Sequence, residues 1–427
     1  MAEAASELRL NPATLPAALP THASPQAGVL LAATAGIALL GLAIATAAPV
    51  RHVPLYLIGV ALGLVLYRSV FGFTSAFRVL LAERRSAGFR AQMVMLGLAC
   101  LLFFPALGQG SLWGQPVVGF VSPVGVSLVV GAFLFGVGMQ LGGGCASGTL
   151  YSLGGGSTRM LVTLLFFIVG SVLGVNHLAW WESLPSFGPV SLIASWGWMG
   201  ALGLSVVVLF AAHAGARRLE LARHGDLLPM GAVAAQDQTL SRWSRLWRGP
   251  WSLLTGALAL AVLNFATLAL AGRPWGITSA YGLWGGLGLQ AVGVPIAAWS
   301  GYAAPEMQSA LRQGALADIT SVMDFGIMLG ALLAAGAAGR FKPVWRISAG
   351  HFMASVLGGL LLGYGARLAY GCNIGAFFSG IASGSLHGWL WIVLALAGTW
   401  AALPLRSVFG LDAALALGPG KASTLKR

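Results

Sequence analysis

Two cysteine-containing segments carry the clearest chemical signal in the sequence. They read GVGMQLGGGCASG over 136–148 and GYGARLAYGCNIG over 363–375, so a constant offset of 227 residues aligns Cys145 with Cys372 and also aligns four pairs of glycines. A thiol is polarizable, donates weakly and is suited to contact with another sulfur atom. We therefore interpret the pair as contacts for a substrate that contains sulfur or selenium, rather than as two small packing residues.

Glycines immediately precede both cysteines: Gly142, Gly143 and Gly144 in the first segment and Gly371 in the second. Each glycine inside a helix costs about 1 kcal/mol relative to alanine, so three in a row favour unwinding. Unwound backbone at membrane depth survives only where it is buried in protein or lines a cavity. Its free amides, and the N-terminus of the next helix, attract anions. The sequence thus predicts an anion-tolerant constriction at Gly143, Gly144 and Gly371.

Three polar residues in the same segments are candidate substrate contacts. Arg367 precedes Cys372 by five residues, at the position that Gln140 occupies before Cys145, and Asn373 follows Cys372 directly. Arginine keeps its charge and binds oxyanions in a bidentate manner, so Arg367 would raise the local concentration of an anion.

A second repeated motif lies upstream of each cysteine, FGFTSA at 71–76 and WGITSA at 275–280. Arg68 and Arg273 precede the two copies and are further candidates for anion binding. The alternative for each of these arginines is a snorkelling side chain at the membrane interface.

Three further residues are weaker candidates for a functional role. Asp318 and Asp324 stand at the start of one apolar segment, where they could couple protons or cap the helix, and we favour caps. Cys100 has no repeat partner and is interpreted as a packing residue. The sequence contains no C-x-x-C, no His/Cys cluster at metal spacing and no G-x-x-x-x-G-K-[ST] loop, so we expect no metal, no other cofactor, no ATP hydrolysis and no enzyme.

The elements that must position these residues are membrane helices. Of 427 residues 57% are hydrophobic and 8% charged, with a mean hydropathy of +0.83, whereas a soluble chain carries about 25% charged residues. The net charge of +13 comes mainly from arginines at the ends of apolar segments, which indicates membrane topology rather than nucleic-acid binding. Candidate spans, some of them short or re-entrant, lie near 27–48, 53–71, 89–107, 123–141, 157–176, 192–214, 251–271, 281–299, 318–338, 346–366 and 387–405.

The sequence therefore predicts an all-α polytopic membrane protein with about 9–11 transmembrane helices, built from two pseudo-symmetric repeats with broken or re-entrant helices at the centre. The predicted divisions are a flexible tail (1–26), a first repeat (27–216), a charged linker (217–250), a second repeat (251–410) and a C-terminal tail (411–427). The positive-inside bias places the linker in the cytoplasm. The span count leaves parallel and inverted repeats open.

These motifs, together with RSVFGFTSAFR at 68–78 and YGCNIGAFFSGIASGSLHGW at 370–389, resemble the YeeE/YedE family of membrane proteins over about residues 53–405. The resemblance implies a thiosulfate importer of the bacterial inner membrane with two inverted halves, nine transmembrane helices and a central path lined by cysteines. Transient S–H···S contacts would pass the substrate along that path. One branch of the family is linked to selenium metabolism.

Carried over to this sequence, the family's Gly-Cys positions are Cys145 and Cys372. A further family cysteine is replaced by Gly72, so a relay of three thiols is incomplete here. We expect a multi-pass transporter in the lipid bilayer that imports thiosulfate. Alternatives are a selenium-compound transporter, or a persulfide- or redox-transfer protein that uses the same cysteines. A cytoplasmic sulfur-transfer protein is an optional partner, and nucleic acid is not expected.

Overall fold

The computed structural model describes residues 24–231, 244 and 247–412. Its helices are α1 Ala27–Ala47, α2 His52–Ser69, α3 Phe73–Glu83, α4 Ala87–Gln109, α5 Val126–Gly142, α6 Ala146–Gly154, α7 Thr158–Glu182, α8 Leu192–His224, α9 Leu253–Ala271, α10 Ser279–Ala291, α11 Pro305–Gln313, α12 Ile319–Ala337, α13 Ala349–Leu368, the π-helix Asn373–Ser379, α14 Gly380–Ala382 and α15 Leu386–Val408. Two short 3-10 turns cover Ile296–Ala298 and Ala315–Ala317.

Within the described residues, ten helical stretches are long and apolar enough to span a membrane, when α2 is counted with α3 and α5 with α6. The prediction of an all-α polytopic membrane protein is confirmed. The predicted span at 281–299 is instead the 13-residue helix α10 followed by a turn, because Gly293 (φ 82°) and Pro295 stop the helix. Apolar content alone did not reveal that stop.

Two ends of the bundle can be told apart. At one end, the hairpin end, strands β3 (Pro123–Gly125) and β4 (Ser186–Pro189) pair antiparallel, and a second small ribbon pairs β1 (Ser111–Leu112) with β2 (Gln115–Pro116) in the connection that leads to β3. The Val118 amide donates to the Gly272 carbonyl (2.8 Å) at the same end. At the other end, the linker end, the Trp251 amide donates to the Arg68 carbonyl (2.8 Å), where the charged connection enters α9.

The charged stretch that begins at 217 is partly helical, because α8 continues to His224. Glu220 is fully buried and accepts hydrogen bonds from the amides of Ser86 (3.0 Å) and Leu228 (2.9 Å), while Arg85 lies 3.3 Å from its carboxylate. This carboxylate ties the α3–α4 turn to the end of α8. Most of the predicted N-terminal tail, of the linker core and of the C-terminal tail lies outside the described residues.

Glycines set the spacing of the helices around the centre. A Cβ on Gly59 or Gly63 of α2 would collide with the backbone of α12, and one on Gly363 of α13 would collide with α7. Gly358 of α13 lies equally close to the backbone at Gly142, where α5 ends. Such close approach of small residues is how membrane helices gain packing contacts. It brings α5, α7, α12 and α13 together around the two Gly-Cys segments.

Candidate functional site

The first helix break occurs at the predicted glycines. Helix α5 ends at Gly142, and Gly143 adopts φ 83°, a left-handed conformation that strains any residue with a Cβ. Cys145 is then the N-cap of α6, and its carbonyl accepts from the Thr149 amide (2.8 Å). Its thiol lies 3.3 Å from Ser147 Oγ and also faces Thr74, from the first FGFTSA motif. The chain therefore restarts as a helix with a thiol at its first position.

The second break repeats this arrangement with different neighbours. Helix α13 ends at Leu368, and both Tyr370 (φ 52°) and Gly371 (φ 148°) take positive φ values. Cys372 is the N-cap of the π-helix, and its sulfur accepts from the Ile374 amide (3.4 Å). A π-helix inside an otherwise α-helical protein is rare and is frequently found at functional sites.

The two breaks meet in the protein interior. Helix α6 packs against the π-helix, and the thiols of Cys145 and Cys372 are buried and within electrostatic reach of each other. Tyr281 of α10 is fully buried, interacts electrostatically with both thiols, and directs its hydroxyl at the Ala146 carbonyl (3.5 Å). The structure thus brings together the two cysteines that the sequence analysis singled out.

Polar side-chain atoms without a hydrogen-bond partner among the described residues occur in the two Gly-Cys segments and in the first upstream motif. They are the side-chain oxygen of Gln140, both side-chain amide atoms of the fully buried Asn373, and the hydroxyl of Thr74, which neighbours the Cys145 thiol. A buried polar group left unpaired costs about 1–3 kcal/mol. Unpaired groups in the segments that carry the cysteines are therefore consistent with a polar ligand that would satisfy them.

Gln140 and Arg367, which occupy one repeat position, make the same kind of contact. Gln140 donates through Nε2 to the Thr74 carbonyl (3.3 Å), and Arg367 donates through Nη2 to the carbonyls of Thr278 (2.8 Å) and Ser279 (2.9 Å). Thr74 and Thr278 are the matching residues of the two upstream motifs. Each Gly-Cys segment is therefore anchored to the upstream motif of its own half, and Arg367 holds the start of α10.

Arg68 and Arg273 lie at helix ends. The Arg68 guanidinium stacks over the Trp251 ring (5.4 Å to the centroid) at the linker end. Arg273 donates to the Thr320 hydroxyl (3.1 Å) at the start of α12. These contacts place both arginines apart from the thiols, and a role for them in binding the substrate stays a prediction.

Clefts open toward both ends of the bundle. A cleft of about 420 Å³ at the linker end is lined by Tyr151, which follows Cys145 along α6, and by the basic residues Arg159, Lys342, Arg346 and His351. A cleft of about 250 Å³ at the hairpin end reaches Tyr370, two residues before Cys372, beside Trp181 and Glu182. Of the two clefts, the one at the linker end is the basic one.

Of the two aspartates that the sequence analysis interpreted as helix caps, only one is a cap. Asp318 caps α12 as predicted, because its carboxylate accepts from the Ser321 amide (2.7 Å). The cap interpretation of Asp324 is wrong, since it lies in the second turn of α12, fully buried. Cys100 is buried and its sulfur lies 3.8 Å from the Ile381 carbonyl, which agrees with a packing role.

Sequence reasoning missed Tyr281 altogether, although the aromatic residue stands two positions after Ser279 of the repeated motif. Within the described residues the structure gathers no group of three His, Cys, Asp or Glu side chains that could hold a metal ion.

A family model described as sulphur transport matches residues 68–401, most of the chain. The chain belongs to the sulphur transport family. The thiosulfate transporter TsuA of Spirochaeta thermophila is 31% identical over 349 residues, which cover 81% of this chain and 96% of that protein. TsuA of Escherichia coli is 25% identical over 351 residues, covering 81% and 91% of the two chains.

The probable transporter YedE of Escherichia coli is 31% identical over a shorter stretch of 150 residues, 35% of this chain and 36% of that protein. The resemblance to the YeeE/YedE family is thereby confirmed. This member of the sulphur transport family is a multi-pass membrane protein that functions in the transport of sulfur compounds. Its family consists of transporters rather than enzymes.

Proposed function

We propose that this protein imports thiosulfate across the bacterial inner membrane along a path that passes Cys145 and Cys372. The observation that carries the proposal is the meeting of two helix N-termini in the protein interior, each beginning with a cysteine. Relatives over most of the chain's length are named thiosulfate transporters, which supports the choice of anion.

The chemistry of the two ends suits a small sulfur anion. Each helix N-terminus presents free amides and a partial charge of roughly +0.5, so two converging N-termini offset much of the charge of a dianion. The S–H groups can donate to the terminal sulfur of thiosulfate, and the Asn373 amide can donate to its sulfonate oxygens. A neutral thiol makes such contacts without forming a covalent bond, so the anion can leave again.

We further propose that the two halves are inverted repeats. The matched contacts of Gln140 with Thr74 and of Arg367 with Thr278 support this arrangement. Helix α5 starts beside β3 at the hairpin end, whereas α13 ends beside α5's first turn, where Ser127 donates to the Leu368 carbonyl (2.7 Å). The two broken helices thus approach the centre in opposite directions.

The basic cleft at the linker end supports import. The positive-inside bias of the arginine-rich linker supports a cytoplasmic position for that end. Arg159, Lys342 and Arg346 would attract the anion out of the constriction toward the cytoplasm.

Uptake of radiolabelled thiosulfate into proteoliposomes tests the proposal. We expect Cys145→Ala and Cys372→Ala each to lower the initial rate at least tenfold, and Cys100→Ala, a buried cysteine outside the site, to keep most of it. Excess unlabelled thiosulfate should compete, and sulfate, which lacks a terminal sulfur, should not. Undiminished uptake in both cysteine variants would exclude the thiols from the path. Intact-mass measurement after exposure to thiosulfate should show no lasting adduct.

A further inference from the structure

A carboxyl group inside the membrane region has no role in the architecture described so far. Asp324 on α12 is 0% exposed, and both of its carboxylate oxygens lack a hydrogen-bond partner among the described residues. None of the ion pairs between described residues includes it. The capping contact of α12 belongs to Asp318, six residues earlier. An unpaired acid at membrane depth is unfavourable for folding and is usually retained for function.

Asp324 borders the thiol site. It lies within electrostatic range of Tyr281 and of Cys372, and Tyr281 in turn lies within range of Cys145 and directs its hydroxyl at the Ala146 carbonyl. Helix α12 also packs along α6, the helix that Cys145 begins. The acid is therefore part of the same buried region as the cysteines.

The groups on the elements around α12 do not neutralise it. Helix α1 has no titratable residue, α10 contributes Tyr281, and α6 contributes Tyr151. From α2 come His52, whose ring contacts the Ala317 carbonyl (3.0 Å), and Tyr56, Tyr67 and Arg68, the last stacked on Trp251 at the linker end. Arg273 contacts Thr320, near Asp318 at the start of the helix. Asp318 itself adds a like charge.

This environment couples the protonation of Asp324 to the occupancy of the site. Ionising a buried carboxyl without a partner is strongly unfavourable, so the neutral acid is the stable form in this structure. An anion at the thiols makes ionisation still less favourable, because like charges repel. By linkage, a proton on Asp324 favours anion binding as much as the anion favours the proton.

We propose that Asp324 carries a proton with each thiosulfate, so that the protein is a proton–anion symporter. The inference rests on the proposed function. An inside-negative membrane potential opposes the entry of a dianion, and each proton that moves with it cancels one of the charges moved. The proton is taken up at the hairpin end with the anion, and it leaves Asp324 at the linker end when water that enters as the anion departs solvates the carboxylate.

Two assays on proteoliposomes separate coupling from transport. Counterflow measures exchange of radiolabelled for preloaded thiosulfate without any proton gradient. Net uptake is measured with the membrane potential clamped and an acidic exterior, while an internal dye reports pH. One proton per anion predicts about tenfold higher accumulation for each unit of pH gradient. The native protein should show counterflow, gradient-driven accumulation and internal acidification.

The substitution Asp324→Asn mimics the protonated acid permanently. We expect it to retain counterflow within about twofold, and to lose both gradient-driven accumulation and acidification. The matched control is Asp318→Asn on the same helix, which removes a carboxylate but keeps a good capping side chain and should keep proton coupling.

Each outcome of these assays supports or contradicts either the proposed function or the symport proposal. Absence of counterflow in the native protein would contradict the proposed function itself. Counterflow without any response to the proton gradient would overturn the symport proposal and leave thiosulfate transport intact. A folded Asp324→Asn protein that stays proton-coupled would remove Asp324 from the mechanism, and one that loses counterflow would overturn its role as a proton carrier by showing that transport itself needs the carboxylate. Should Asp324→Asn fail to fold, Asp324→Glu replaces it: a shifted pH profile of uptake supports the proposal, and an unchanged profile contradicts it.

Discussion

Cys145 and Cys372 both begin a helix inside the protein, but the helices and the thiol contacts differ. Cys145 starts a regular α-helix, and its thiol meets the hydroxyls of Ser147 and Thr74. Cys372 starts a π-helix, its thiol accepts from the Ile374 amide, and the neighbouring Asn373 amide is unpaired among the described residues. Backbone geometry is therefore common to the two breaks, while the polar groups offered to a ligand are not.

Features that the two breaks share belong to the scaffold. Glycines with positive φ and the contacts of Gln140 and Arg367 to the upstream motifs occur in both halves, so they hold the breaks open. A group that occurs in one half alone, such as the Asn373 side chain, is free to serve the substrate. The following predictions test this division.

The largest effect is expected at the glycine before Cys372. A Cβ at Gly371 would lie 2.7 Å from the Ala376 amide nitrogen, at a φ of 148°. Gly371→Ala should lower the free energy of unfolding by about 3 kcal/mol, because strain and backbone overlap combine. At Gly143 the nearest atom, 3.3 Å away, is the end of the flexible Arg159 side chain, so Gly143→Ala should cost about 1 kcal/mol. Equal shifts in thermal unfolding in detergent would contradict this ranking.

The next largest effects are expected at Arg367 and Gln140, the side chains that contact the upstream motif of each half. Arg367→Ala removes two hydrogen bonds to the start of α10 and should lower stability by about 2 kcal/mol, whereas Arg367→Gln, which copies the other half, should cost about 1 kcal/mol. Gln140→Ala, with one bond lost, should also cost about 1 kcal/mol. Thermal unfolding and uptake should fall together. If Arg367→Ala instead raises KM for thiosulfate at unchanged stability, the arginine binds the anion directly.

Replacement of Asn373 should weaken thiosulfate binding without lowering stability. Asn373→Leu removes an unpaired buried amide, so we expect stability to be unchanged or higher while thiosulfate binding weakens about tenfold, or about 1.4 kcal/mol. The matched control is Asn264, a buried asparagine that bonds Ser379 Oγ (3.1 Å) and the Trp275 amide (2.9 Å). Asn264→Leu should lose stability. Calorimetric titration and thermal unfolding measure both quantities, and a destabilised Asn373→Leu would assign that side chain to the scaffold.

The sequence was sufficient for features that depend on local composition. Apolar runs predicted the membrane helices, and the three glycines before Cys145 predicted the end of α5 at Gly142. Contacts between distant segments could not be predicted from the sequence, because no residue near Arg367 indicates that its guanidinium donates to the Thr278 carbonyl. The different role of Asp324 could have been predicted from the sequence. It lies six residues after Asp318, which is too far along the helix for its carboxylate to cap the N-terminus.

The smallest effect is expected at Gly72, where the family resemblance led us to expect a third cysteine. Gly72 is the N-cap of α3, with φ −96°, and among the described residues the nearest atom to an added Cβ is the exposed Ser75 hydroxyl, which can rotate away. Gly72→Cys should therefore change stability by less than about 1 kcal/mol. Because Gly72 lies two residues before Thr74, which faces the Cys145 thiol, we expect a new thiol there to add a sulfur contact to the site. We expect its initial uptake rate to exceed that of Gly72→Ala, which isolates the effect of the added carbon. Equal rates would show that two thiols complete the path.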